Sequence, residues 1–379
     1  HGNLWVADFD ANRVVMYPRG SAEATLVFGQ YGSFTTHGCD QTPPPGSRYP
    51  RAPNRYTLCQ PVGVAIDRRG TLYVADSIDN RVLVYFHAAA KPRDAPADLV
   101  LGQPTFALTS GNDVPKGGSG AFRCEKPNPA SRCTLNGPMQ LGLDVRGDLL
   151  VPDLDNNRVL LWSASLLARL HAGACAHRCF IPASRVWGQY GSFSTTAPNN
   201  RAIPAAQASS CPAVSYFAPA SACTLFAPAA TVADPDGNLY IADTSNNRVL
   251  EYDGALSSGR QNASRVYGQG ESFSSRAENL GGTGPSSLWH PIALALDPTR
   301  NLWVTDFYNM RVLEFSAAVG AGSTAASGVL GQAGSFTTRA CGRTAQGLCG
   351  PYSVTFDIAG NAFVSDSFNN RVLEFARAS

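Results

Sequence analysis

Residues 4–17 read LWVADFDANRVVMY, and the chain writes much the same fourteen-residue stretch five more times. It returns as LYVADSIDNRVLVY (72–85), LLVPDLDNNRVLLW (149–162), LYIADTSNNRVLEY (239–252), LWVTDFYNMRVLEF (302–315) and AFVSDSFNNRVLEF (362–375). In a chain of 379 residues such repetition outranks length as a guide to architecture. Each copy sets two short β-branched and aromatic runs on either side of a polar turn. Alternation along residues 72–76 sends Leu72 and Val74 to one face and Tyr73 and Ala75 to the other. Both faces are apolar, which predicts a sheet sandwiched between neighbours.

The surroundings of the stretch repeat as well. An apolar segment ending in aspartate stands before it, as PVGVAIDRRG (61–70), PAATVADPDG (228–237), PIALALDPTR (291–300) and PYSVTFDIAG (351–360). After it comes Gly-Gln followed by phenylalanine, as VFGQYGSF (27–34), VLGQPTF (100–106), VWGQYGSF (186–193), VYGQGESF (266–273) and VLGQAGSF (329–336). One unit is therefore four short antiparallel strands joined by turns, and that is a propeller blade. The expected fold class is an all-β, six-bladed β-propeller. Residues 166–172, LLARLHA, are expected to add a turn or two of helix between a third and a fourth strand.

Within the turn, an aspartate ends one strand and an arginine opens the next: Asp8/Arg13, Asp76/Arg81, Asp153/Arg158, Asp243/Arg248, Asp306/Arg311 and Asp366/Arg371. The planar guanidinium can bridge the carboxylate and nearby backbone with several donors, so these pairs are expected to be structural. Asn12, Asn80, Asn157, Asn247 and Asn370 precede the arginine, where a short polar side chain tolerates left-handed geometry; Met310 takes that place in the fifth unit. A ring of six carboxylates binding metal is the alternative, and the paired arginines argue against it.

These residues resemble NHL repeats, whose signature runs P-x-x-V-A-x-D-x-x-G-N-L-Y-V-A-D-x-x-N-N-R-V-L; GNLYIADTSNNRVLEY (237–252) follows it nearly letter for letter. The Gly-Gln…Ser-Phe punctuation is similar to the long NHL units of secreted proteins. The resemblance implies the propeller and leaves activity open, because NHL propellers include RNA-binding domains, a metal-dependent peptide-amidating lyase and extracellular adhesion or scaffold modules. That lyase uses histidines around its channel. The counterparts here, just before the first-strand prolines, are Gln60, Gly137, Ala227, His290 and Gly350, and one histidine cannot build a three-ligand zinc site. His290 is expected to be a turn residue.

Residues 1–379 are expected to form a single propeller domain, with blades at about 1–34, 60–106, 137–193, 227–273, 290–336 and 350–379 and loop insertions between them. The first and last blades each lack a strand, so the segment is expected to continue in a longer chain.

Ten cysteines fall in the connections as five close neighbours: Cys39–Cys59, Cys124–Cys133, Cys175–Cys179, Cys211–Cys223 and Cys341–Cys349. Loop-stapling disulfides and an extracellular or cell-surface setting follow. Asn262 begins a glycosylation sequon. His171, Cys175, His177 and Cys179 form a weaker metal alternative. The net charge of +2, with the repeat arginines committed, argues against nucleic acid. No apolar run reaches the roughly 18 residues of a membrane span. No cofactor is expected.

Large stapled loops and the Asp-to-Arg turns are expected on one face. The turn residues Phe9 and Asp10, Ile78 and Asp79, Leu154 and Asp155, Thr244 and Ser245, Phe307 and Tyr308, and Ser367 and Phe368 vary inside a fixed frame. Exposed aromatics there suit a protein or carbohydrate partner, copies of the chain included; packing beneath the loops is the competing reading. The leading expectation is an extracellular binding or assembly module. The alternative is a secreted lyase or hydrolase with its site at the central channel.

Overall fold

The computed structural model describes residues 2–112, 130–170, 181–199, 220–316 and 323–377. The fold class is the expected one, an all-β six-bladed propeller of antiparallel sheets. The chain divides into two compact units, His1–Val186 with Ser192–Thr196, and Trp187–Gly191 with Ala197–Ser379.

The first unit begins with a three-stranded sheet of β1 (Leu4–Asp8), β2 (Arg13–Tyr17) and β3 (Leu26–Phe28). The second sheet holds β4 (Pro61–Ile66), β5 (Leu72–Asp76), β6 (Arg81–Tyr85) and β7 (Leu99–Leu101) in chain order. The third holds β8 (Gly142–Leu143), β9 (Leu149–Asp153), β10 (Arg158–Trp162) and β11 (Arg185–Trp187). Helix α1 (Ala164–Arg169) stands between β10 and β11, where helical turns were expected, and its N-cap Ser163 accepts a hydrogen bond from the Leu166 amide.

In the second unit, the fourth sheet is β12 (Ala230–Ala233), β13 (Leu239–Asp243), β14 (Arg248–Tyr252) and β15 (Arg265–Tyr267), with α2 (Ala255–Ser258) between its last two strands. The fifth is β16 (Pro291–Leu296), β17 (Leu302–Asp306), β18 (Arg311–Phe315) and β19 (Gly328–Leu330). The sixth has three strands, β20 (Pro351–Phe356), β21 (Ala362–Asp366) and β22 (Arg371–Phe375).

The period-2 pattern sends its two apolar sets to two different neighbours. Leu72 and Val74 pack with Val14, Phe28 and Leu58 of the first sheet and its loop. Tyr73 and Ala75 pack with Val151, Leu160 and Trp162 of the third. In the second unit, Val304 and Leu313 share a cluster with Ala242 and Val249, while Val312 lies with Val354 and Val364. Fully burying one such aliphatic side chain stabilises by about 1.5–3 kcal/mol. Each inner strand that opens with proline (β4, β16, β20) carries a register shift just after it, since proline has no amide to donate.

The Gly of each Gly-Gln is there for space and conformation. Gly29, Gly102 and Gly268 have φ of 103°, 86° and 90°, and a Cβ would come within 2.6, 2.5 and 2.6 Å of Leu58, Leu135 and Leu288. Those leucines precede the next sheet, so the glycine sets how closely consecutive sheets approach.

Candidate functional site

The turn after each second strand is rigid by construction. Arginine Nε donates to aspartate Oδ2 at 2.8 Å (Arg13–Asp8), 2.7 Å (Arg81–Asp76, Arg158–Asp153, Arg248–Asp243, Arg371–Asp366) and 2.8 Å (Arg311–Asp306). Arg81, Arg158, Arg248 and Arg311 are fully buried. Their remaining donors are spent on loop carbonyls. Nη1 of Arg13, Arg81, Arg158, Arg248 and Arg311 bonds the carbonyl of Phe34, Phe106, Phe193, Phe273 and Phe336 in the following loop. Nη2 of Arg158 and Arg248 reaches back to Thr134 and Thr224 in the preceding one. The other aspartate oxygen accepts the amide of Cys59, Asn136, Phe226, Trp289 or Cys349 at 2.6–2.7 Å. One ion pair thus ties two loops to one blade end.

The asparagine that follows clasps the next sheet. Asn12, Asn80 and Asn247 sit in left-handed geometry, and each Oδ1 accepts the amide of Gln60, Gly137 or His290 at 2.8 Å. Their Nδ2 groups donate to the carbonyls of His37, Thr109 and Arg276. In the fifth turn the Met310 sulfur takes the Gly350 amide at 3.1 Å. The glutamine of each Gly-Gln completes the clamp: Gln30 donates to the carbonyls of Asn12 and Gly38, and Gln269 to those of Asn247 and Ala277. Sequence reading took Gly-Gln as strand punctuation and missed this role, whose partners lie 8 to 22 residues away.

On this frame the variable residues are displayed. Phe9, Ile78, Tyr308 and Phe368 are exposed, as are Asp10 and Asp155, while Leu154 and Phe307 are half-buried. Asp79 departs from the expectation that paired it with Ile78 at the tip. It is buried, because the tip residues are the first and second after the repeat aspartate, here Ser77 and Ile78.

In the second unit the tips gather aromatic rings. Tyr308 lies 5.1 Å from Trp289 and 5.0 Å from His290, and Phe307 lies 5.5 Å from Phe368 and 6.1 Å from Tyr352. Arg339 covers a face of Trp289 at 5.4 Å. Burial pushes the His290 imidazolium below its usual range and the Tyr352 phenol above its own. In the first unit, a cleft of about 240 Å³ opens between the second and third sheets, walled by Ile78, Met139 and Leu154 with Asp155 at its edge. Among the described residues no group of three or more His, Cys, Asp and Glu side chains is placed to hold a metal ion.

Cys39–Cys59 and Cys341–Cys349 are closed disulfides, and Cys133 and Cys223 are also disulfide-bonded. Such cross-links indicate an oxidising environment. Cys124, Cys211 and the alternative metal set His171, Cys175, His177 and Cys179 lie outside the described residues. Asn262 is half-exposed. No helix among the described residues is long and apolar enough to cross a membrane.

The family model described as NHL repeat matches residues 58–85 and 288–315, the second and fifth copies with their inner strands. No curated protein sequence matches the chain. Among solved structures, a protein of unknown function from Bacteroides thetaiotaomicron superposes with a TM-score of 0.53 at 11% identity, covering 99% of this chain and 66% of that one. Virginiamycin B lyase from Staphylococcus aureus gives 0.43 at 11%, covering 99% and 77%. The WD40 β-propeller domain of Doa1 gives 0.47 at 10%, covering 100% and 90%. These likenesses concern the fold alone.

Proposed function

As the chain is an NHL-repeat β-propeller, we propose that it works as an extracellular binding or assembly module, engaging a protein or carbohydrate partner through its turn tips. The observation that carries this reading is the aromatic cluster of the second unit, whose outermost rings, Tyr308 and Phe368, are 42% and 58% exposed. Large aromatic side chains left in water beside a clamped backbone lose only side-chain freedom when a partner covers them, and aromatic residues are prominent among those that carry binding energy at interfaces. The disulfides support the extracellular setting, and the Cys341–Cys349 staple holds the loop that leads into Gly350 and the sixth sheet.

The test is a pair of arrays, one of oligosaccharides and one of extracellular-matrix peptides, probed with the wild-type protein and with Tyr308→Ser/Phe368→Ser. Both substitutions fall on exposed side chains, so the melting temperature should hold within a few degrees. Every specific signal of the wild type should drop at least tenfold in the variant. Signals that survive the double substitution would show that the aromatic tips are not the binding surface.

A further inference from the structure

We propose that the cleft between the second and third sheets is a docking pocket for one lysine or arginine side chain of a partner polypeptide, with Asp155 as its counter-ion. This rests on the binding-module reading and gives it a chemical specificity.

Size comes first. At about 240 Å³ the cleft falls below the roughly 300–1,000 Å³ of pockets that enclose whole small ligands, so a single long side chain is the fitting occupant. Its apolar wall comes from both sheets, Ile78 from the second turn and Met139 and Leu154 from the third sheet's approach and turn, and Ser77, Asn80 and Asn136 add polar atoms beside it. Such walls suit a methylene stem, and a stem of that length carries a charged head.

The cleft supplies the matching charge. Asp155 bonds the Asn136 carbonyl through its amide, but its carboxylate makes no hydrogen bond or ion pair with any described residue. This contrasts with the repeat aspartate two residues before it, Asp153, whose two oxygens are both engaged. Gly137 lies directly beneath: a Cβ there would meet Asp155 Oδ2 at 3.2 Å, so the missing side chain leaves the carboxylate open over the cleft floor. Partial burial raises the Asp155 carboxyl above its usual range, and no cation among the described residues offsets it. An arriving ammonium or guanidinium would supply that offset. Around it the backbone is fixed, because Asn80 Oδ1 holds the Gly137 amide at 2.8 Å and the Leu154 amide bonds the Gly137 carbonyl. The pocket is therefore formed before anything enters it.

The experiment follows the Ile78 δ1 and Met139 ε methyl resonances of the intact chain as N-acetyl-lysine methylamide, N-acetyl-arginine methylamide or N-acetyl-norleucine methylamide is added. The basic probes should shift both methyls saturably, and more weakly as salt is raised from about 50 to 500 mM. Norleucine, which keeps the stem without the charge, should bind at least about fivefold more weakly, and Asp155→Asn should cost the basic probes a similar factor. Equal affinity for lysine and norleucine probes, an unchanged affinity in Asp155→Asn, or the absence of shifts at Ile78 and Met139 would each overturn the proposal. A calcium titration that displaces the lysine probe at equal concentration would assign the carboxylate to a metal ion instead. Because the probes need no partner and do not touch Tyr308 or Phe368, a negative result here leaves the aromatic-tip reading standing, and loss of that reading leaves this one measurable.

Discussion

Asp79 Oδ2 stands 2.7 Å from Nη2 of Arg81, in the place that Asn156, Asn246, Asn309 and Asn369 hold in later turns. Each of those asparagines donates to the repeat aspartate at 2.8 Å, and three of them exchange amide bonds with a loop asparagine: Asn112, Asn199 or Asn279. In the second turn the same two places hold Asp79 and Asp40, so carboxyls replace amides. A carboxylate cannot donate. Asp79 repeats the bond to Asp76 only while it carries a proton.

Burial, and then the charge of Asp76, push the Asp79 carboxyl up to about 9, with Arg81 pulling the other way and Asp40 adding to the rise. The unfolded value is about 3.9. A group whose value is raised on folding stabilises fully below its unfolded value, and that contribution is lost as pH rises through the folded one. Asp79→Asn restores the donor at every pH, so its melting temperature should exceed the wild type's by more at about pH 9 than at about pH 5. Melting curves at both values decide it; a difference that does not change with pH would mean that Asp79 is ionised throughout.

Arg248 and Arg371 make the same bond to aspartate but differ in burial. Arg248 is fully buried and its donors also hold the carbonyls of Phe273, Ser221 and Thr224. Arg371 keeps 29% of its side chain exposed, although Asp366 is buried and the arginine's donors hold the carbonyls of Arg343, Thr344 and Gly347. Removing one partner of a buried pair typically costs about 3–5 kcal/mol, and water reaching the Arg371 guanidinium lessens that cost where the arginine is partly exposed. Arg248→Ala should therefore lower stability more than Arg371→Ala in denaturant titrations, with binding by the folded fraction unchanged. Equal losses would show that burial does not set the strength of these pairs.

Cys39 and Cys59 close a loop with a separation of 20 residues, Cys341 and Cys349 one of 8. Chain entropy alone gives about 3 kcal/mol for the longer loop and about 0.8 kcal/mol less for the shorter. The Cys59 amide also bonds Asp76, so loosening this loop disturbs the second turn. Replacing both Cys39 and Cys59 by serine should lower the melting temperature more than replacing Cys341 and Cys349. Peptide mapping without reductant should in addition pair Cys133 with Cys124 and Cys223 with Cys211.

What the sequence made legible was whatever obeys a short period. Alternation assigned Leu72 and Val74, or Tyr73 and Ala75, to the right faces, because a strand has only two. Left-handed asparagines were readable from residue type and place. Contacts set by three-dimensional closure were not readable: the Gln30 side chain finds the Asn12 and Gly38 carbonyls, and nothing local in Gly-Gln announces it. Asp79 misled for a related reason. It was read as a tip residue with Ile78, but it stands third after Asp76, in the place of Asn156 and Asn246, and only those equivalents reveal that this position faces inward. The Asp155 cleft needs two turns at once, and no single repeat contains it.

Met310 marks the one place where the asparagine clasp is replaced by a thioether. Its φ is 54°, a left-handed value that a β-carbon bearing a long side chain adopts at some cost and asparagine tolerates better. Its sulfur receives the Gly350 amide at 3.1 Å, a weak acceptor where Asn12, Asn80 and Asn247 offer a carbonyl oxygen at 2.8 Å. Met310 also has no donor to match the Nδ2 that Asn247 gives to the Arg276 carbonyl, seven residues beyond Gln269. The same offset from Gln332 is Arg339, whose guanidinium lies over Trp289 in the aromatic cluster. Met310→Asn should gain one stronger acceptor and one new donor, for a stabilisation of about 1–2 kcal/mol. Hydrogen exchange at the Gly350 amide should slow, and the loop bearing Arg339 should be held more firmly beside Trp289. The reverse change, Asn247→Met, should cost a similar amount and free the His290 amide. An unchanged or lower stability for Met310→Asn, measured by denaturant titration, would show that packing of the methionine outweighs the clasp it displaced.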